Sequence, residues 1–83
     1  MKRADWSRPL PRSLVIPTVM TLTTLADVQK LIDHNLPAET RNKTTWRYVR
    51  QQLDEAAYGA DAVNVSIALR MALMLENVEC RPK

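Results

Sequence analysis

The stretch Ala62-Val-Asn-Val-Ser-Ile-Ala-Leu-Arg-Met-Ala-Leu-Met-Leu75 decides the fold, because on a helix it is apolar around most of its circumference. One broad apolar face consists of Val63, Ile67, Met71, Met74, Leu75 and Val78, and Leu69 and Leu73 extend it. The polar stripe is narrow, at Ser66, Arg70 and Asn77. Such a helix must be covered on nearly every side, and a chain of 83 residues has little other protein for this. The pattern predicts self-association through this helix, at about 65–76.

The length of the chain allows one small domain, whose core rarely supplies more than about 3 to 5 kcal/mol without disulfides, metal or oligomerisation. Cys80 is the only cysteine and His34 the only histidine. An internal disulfide and a conventional multi-ligand zinc site within one chain are therefore excluded, and we expect no metal or other cofactor. Oligomerisation is the remaining way to add to the stability of so small a core. We expect a homo-oligomer whose interface uses Leu69 and Leu73, on the secondary apolar face.

The net charge of +3 is unevenly distributed. Residues 1–13 carry four cations and one anion, and residues 80–83 carry two cations, whereas residues 14–79 carry six cations and eight anions. We therefore predict a flexible basic arm over 1–13, which contains Pro9 and Pro11, a single helical domain over 14–79, and a short basic tail over 80–83. Basicity confined to the ends is weak support for a nucleic-acid-binding fold.

Three helices are predicted in the interior. The first runs over 25–34, with Thr24 and Asp27 spaced as a capping box, and it ends before Pro37. The second runs over 45–58, buries Trp46 and ends at Gly59. The third ends near Glu76, and Asn77 is a suitable left-handed residue after it. Residues 14–22 include several β-branched residues and form either a short strand or an extended segment. The predicted fold class is thus all-α. It is a small three-helix domain preceded by an N-terminal segment that is either extended or a β-strand.

A basic cluster lies at the start of the second predicted helix, and its members are Arg41, Lys43, Arg47 and Arg50. Cations near a helix N-terminus oppose the macrodipole, and the free amide groups there favour anions, so the cluster could bind phosphate or the carboxylates of a partner. The alternative is a solvated surface. Asp54 follows Arg50 by four residues and Glu39 precedes Arg41, so these charges could pair locally.

Three segments, Thr24-Leu-Ala-Asp-Val28, Trp46-Arg-Tyr-Val49 and Val78-Glu-Cys-Arg-Pro82, carry a resemblance that spans most of the chain. In these segments the chain resembles a family of short uncharacterised bacterial proteins. The shared residues belong to packing and capping, so the resemblance implies a bacterial setting and assigns no functional residue.

No reaction signature is present in the sequence, which lacks a glycine-rich phosphate loop and any Cys/His pair with suitable spacing. We therefore predict that the protein is not an enzyme and has no catalytic residues. A helix that crosses a bilayer needs about 20 consecutive apolar residues, and no apolar run in the sequence approaches this length. We therefore expect a cytoplasmic protein without a membrane partner. The preferred function is a small helical protein-interaction module, whose protein partner the sequence does not identify. The alternative is a nucleic-acid-binding accessory protein that uses residues 41–50 and the N-terminal arm.

Overall fold

A computed structural model describes residues 3–17 and 19–82. The structure does not describe Met1, Lys2, Thr18 and Lys83. The first two residues of the predicted arm, the last residue of the predicted tail and one position of the 14–22 segment are therefore outside the described residues.

The described chain combines a small sheet with helices. Its elements are β1 (Pro9–Ile16), β2 (Met20–Thr24), α1 (Leu25–Lys30), a π-helical turn (Leu31–Asn35, hereafter the π-turn), α2 (Ala38–Arg41), α3 (Thr44–Ala57), α4 (Val63–Leu75) and the two-residue β3 (Arg81–Pro82). The strands are antiparallel, in the order β2-β1-β3. The predicted all-α fold is therefore wrong, and the fold is mixed α and β.

The hairpin of β1 and β2 forms because apolar residues alternate along both strands. Leu10, Leu14 and Ile16 of β1 are buried, and so is Leu22 of β2. A period of two residues places these side chains on one face of the sheet, where they cover the helices. The prolines of β1 lie in its irregular part, since the register shifts between Pro9 and Leu14. The undecided segment 14–22 thus belongs to a hairpin that begins earlier than expected.

Residues 5–8, placed in the flexible arm by the sequence, make hydrogen bonds to both α1 and α3. The amides of Leu25 and Ala26 donate to the carbonyl oxygens of Arg8 and Trp6, at 3.0 and 2.8 Å. At the other end, the Arg8 guanidinium donates to the carbonyl oxygens of Ala56 and Ala60. First-turn amides and last-turn carbonyls have no partner within their own helix, so this segment satisfies groups at two helix ends. Trp6, within the stretch predicted to be a flexible arm, is partly buried against the core.

The helix termini follow the local signals closely. The capping box is confirmed, with the Thr24 amide donating to the Asp27 carboxylate at 3.1 Å. Gly59 has φ of 118° directly after the end of α3. Asn77 has φ of 56° after α4, and the amide of Val78 donates back to the carbonyl oxygen of Leu73 at 2.9 Å. This 6→1 bond is the one expected of a Schellman ending.

The orientation of α4 is the main correction to the predicted helices. Its buried side chains are Val65, Ala68, Leu69, Ala72 and Leu73, which pack against α3 and β1. Leu69 and Leu73 are 0% and 1% exposed, so they belong to the core of the single chain and are not on a surface that a second copy could reach. The exposed apolar residues of α4 are Val63, Ile67, Met71, Met74 and Leu75.

Trp46 is only 1% exposed and is the largest buried side chain of the core. We therefore predict that the stability of the fold depends on it. Trp46→Ala should lower the free energy of unfolding by about 3 to 5 kcal/mol, because it removes the largest buried side chain and leaves a cavity. Urea denaturation followed by circular dichroism measures this. The control is Trp6→Ala, which removes the same side chain from a partly buried site and should cost clearly less. Equal losses for the two variants would contradict the assignment.

Candidate functional site

A groove of about 650 Å³ runs along α3. The end of α2 and the π-turn form its other walls. Its lining residues are Ile32, Asp33, Arg41, Asn42, Trp46, Arg47, Arg50, Gln51, Asp54 and Glu55. We refer to it as the α3 groove. Its volume lies within the range of about 300 to 1,000 Å³ that is typical of ligand pockets.

The structure brings three members of the predicted basic cluster to the α3 groove. Arg41, Arg47 and Arg50 line it, whereas Lys43 is not a lining residue and forms an ion pair with Glu76 at 2.7 Å. The cluster therefore separates into three guanidinium groups at the groove and one lysine paired with the residue that follows α4.

Asp33 organises two of these arginines. Its carboxylate accepts a hydrogen bond from Arg50 Nη1 at 2.6 Å, and its carbonyl oxygen accepts one from Arg41 Nη1 at 3.3 Å. The expected local pairs, Arg50 with Asp54 and Arg41 with Glu39, do not form. Asp33 lies on the π-turn and pairs with Arg50 of α3, 17 residues later in the sequence. The spacing of residues within one helix cannot predict a contact between two different elements. Asp33 is thus a site residue that the sequence did not reveal.

Unpaired charges of both signs remain in the α3 groove. Within residues 3–17 and 19–82, the side chains of Arg47, Asp54 and Glu55 take part in no ion pair or side-chain hydrogen bond. Arg47 lies in the first turn of α3, and the two carboxylates lie in the last. The groove is therefore positive toward one end of α3 and negative toward the other.

Trp46 lines the groove and carries an unused hydrogen-bond donor. Its indole nitrogen Nε1 is buried and has no hydrogen-bond partner among the residues that the structure describes. A buried donor left without an acceptor costs about 1 to 3 kcal/mol, and such a group calls for a specific explanation.

A second surface is the exposed apolar side of α4, which we call the outer face of α4. It consists of Val63, Ile67, Met71, Met74 and Leu75, of which Met71 is 57% and Met74 74% exposed. Four of these side chains, Val63, Ile67, Met71 and Met74, also line a groove of about 410 Å³ between α4 and β1. Its other lining residues include Pro11, Arg12 and Arg70.

Two further features are absent from the described residues. No three His, Cys, Asp or Glu side chains of this part of the chain lie together in a way that could hold a metal ion. None of the helices in the same part is both long and apolar enough to span a membrane.

No family model matches the chain, and no curated protein or solved structure is detectably similar to it. The resemblance to a family of short bacterial proteins therefore stays a prediction.

The contact between Asp33 and Arg50 should stabilise the fold modestly. Their side chains are 32% and 41% exposed, so solvent screens the charges and a double-mutant cycle with Asp33→Asn and Arg50→Gln should give a coupling of about 1 kcal/mol or less. Urea denaturation of the four proteins measures it. The more exposed pair Glu79 and Arg81 is the matched control and should couple less. A larger coupling in the control pair would contradict this account of the groove wall.

Proposed function

We propose that this protein is a small non-catalytic interaction module that self-associates through the outer face of α4. The observation that carries the proposal is the exposure of five large apolar side chains along one side of a single helix. Isolated surface hydrophobic residues are ordinary, whereas a contiguous patch marks an interaction surface. The proposal keeps the expected homo-oligomer and moves its interface from Leu69 and Leu73 to the opposite side of the helix.

The spacing of the outer face suits a second copy of the same chain. Val63, Ile67, Met71 and Leu75 follow one another at intervals of four residues and form one ridge. The ridge is symmetric about its midpoint, so a two-fold axis there would place Val63 opposite Leu75 of the second copy and Ile67 opposite its Met71. A two-fold interface needs this kind of self-complementary surface.

The outer face of α4 supplies the larger part of the area that a stable interface needs. From their exposed fractions, its five side chains present roughly 500 Å² of surface, near the upper end of the patch sizes seen on monomers. A standard interface buries about 800 Å² from each partner. The remainder would come from the residues that share the groove toward β1 with this face. Among them, Arg12 and Arg70 supply the polar rim that interfaces usually have.

The nucleic-acid alternative receives less support. Lys43 and Arg50 are engaged with carboxylates, and Arg8 of the expected basic arm is bound to carbonyl oxygens at the end of α3. Asp54 and Glu55 also line the α3 groove, where they would repel a phosphate backbone. The cytoplasmic location stays a prediction alongside this proposal.

The proposal is tested by moving a charge onto the outer face of α4. Met71→Glu should convert a dimer into a folded monomer, because it places a carboxylate in a desolvated contact. Sedimentation equilibrium gives the mass, and circular dichroism reports folding. Leu69→Glu should instead unfold the chain, since Leu69 lies in the core.

The matched control is Val19→Glu, which changes an exposed apolar residue of the hairpin and should leave the dimer intact. A wild-type protein that is monomeric at high micromolar concentration would overturn the proposal. So would a Met71→Glu variant that remains dimeric.

A further inference from the structure

Arg47, at one end of the α3 groove, does not neutralise the carboxylates of Asp54 and Glu55 at the other. Arg47 and Asp54 are seven residues apart on α3, which separates their backbone positions by about 10 Å along the helix axis. Arg50 lies between them and is four residues before Asp54, but its guanidinium is directed to Asp33, at 2.6 Å. The groove therefore presents a positive end and a negative end, both open to a ligand.

The direction of this charge separation opposes the stability of α3. A helix favours anions in its first turn and cations in its last, and each exposed charge changes its stability by about 0.3 to 1 kcal/mol. α3 has no acidic residue in its first turn and no basic residue in its last. Arg47 and the pair Asp54 and Glu55 occupy the opposite positions. Local rules broken together in one place are typical of functional sites.

Apart from the Asp33 carboxylate and the Asn42 side chain, the polar side chains at the positive end are hydrogen-bond donors. Arg41 and Arg50 each use part of their guanidinium on Asp33, Arg47 is unpaired in the described chain, and Trp46 adds a buried indole N–H without an acceptor. A guanidinium has five N–H donors and no acceptor, so each arginine keeps donors available. These groups suit a carboxylate or another oxyanion, which guanidinium groups bind in a bidentate manner.

We propose that the α3 groove binds a small zwitterionic ligand. Its anionic group would contact Arg41 and Arg47, near the Trp46 indole, and its cationic group would contact Asp54. A ligand of this class satisfies both ends at once, whereas a simple anion leaves the carboxylates unpaired and an extended polyanion is repelled by them. The site lies on α3 and is separate from the self-association proposed for α4.

The probe for the test is ω-aminooctanoate, whose ammonium and carboxylate groups are separated by an extended chain of suitable length. Titration is followed by the NMR signal of the Trp46 indole N–H, assigned with a Trp6→Phe variant, and by calorimetry. We expect saturable binding with half-saturation below about 1 mM and a shift of the Trp46 signal. Octanoate and octylamine, which each carry one of the two charges, should bind at least about tenfold more weakly.

Two variants remove one end of the groove each. Arg47→Gln and Asp54→Asn should each weaken binding by about tenfold or more and should not lower the melting temperature, because each removes a charge that opposes the helix dipole. Lys30→Gln and Glu39→Gln change exposed charges outside the groove and serve as matched controls. Binding to both controls should equal that of the wild type.

Several results would overturn the proposal. These are the absence of saturable binding, binding that does not shift the Trp46 signal, and binding that Arg47→Gln or Asp54→Asn leaves unchanged. Tighter binding of octanoate alone would show a simple anion site instead. If duplex DNA bound more tightly than ω-aminooctanoate, the groove would instead be a nucleic-acid-binding site.

Discussion

The packing of α3 against α4 is the interaction on which the other elements depend. Small residues lie on both sides of this contact, including Ala56 on α3 and Ala68 and Ala72 on α4, and all three are buried. Small side chains let two helices approach closely. The larger buried side chains of α3, Trp46 and Leu53, fill the space around the contact. The sheet then covers the apolar surface that the two helices leave, and the α3 groove lies on the side that the sheet does not cover.

Local features of the fold could be predicted from the sequence because neighbouring residues determine them. The capping box at Thr24 and the left-handed residues Gly59 and Asn77 depend on backbone groups within a few positions, and all three were predicted correctly. A strand within 14–22 was one of two alternatives left open, but the first half of β1 was missed because Pro9 and Pro11 indicated an unstructured arm. The alternation of Leu10, Leu14 and Ile16 was the signal that could have revealed it.

The face of α4 and the composition of the α3 groove could be predicted only in part, because both depend on distant residues. A helix with apolar residues all round does not itself show which side faces inward, although Ala68 and Ala72 beside Leu69 and Leu73 favoured a close contact there. Arg41 and Arg47 were recognised as binding candidates from their position. Asp33 was not, since its contact with Arg50 requires the π-turn to pack beside α3.

The position of β1 in the middle of the sheet has a consequence for the growing chain. Its partner on one side, β2, follows at once, but its partner on the other side is β3, at the far end of the described residues. During synthesis this edge of β1 is open until the last helix has been made, and an open edge can pair with another nascent chain. Pro9, Pro11 and Arg12 lie on the part of β1 that β3 does not pair with, and prolines and charges are the residues that discourage such pairing. The residues that made the strand look like an unstructured arm therefore discourage pairing along the part of the edge that β3 leaves open.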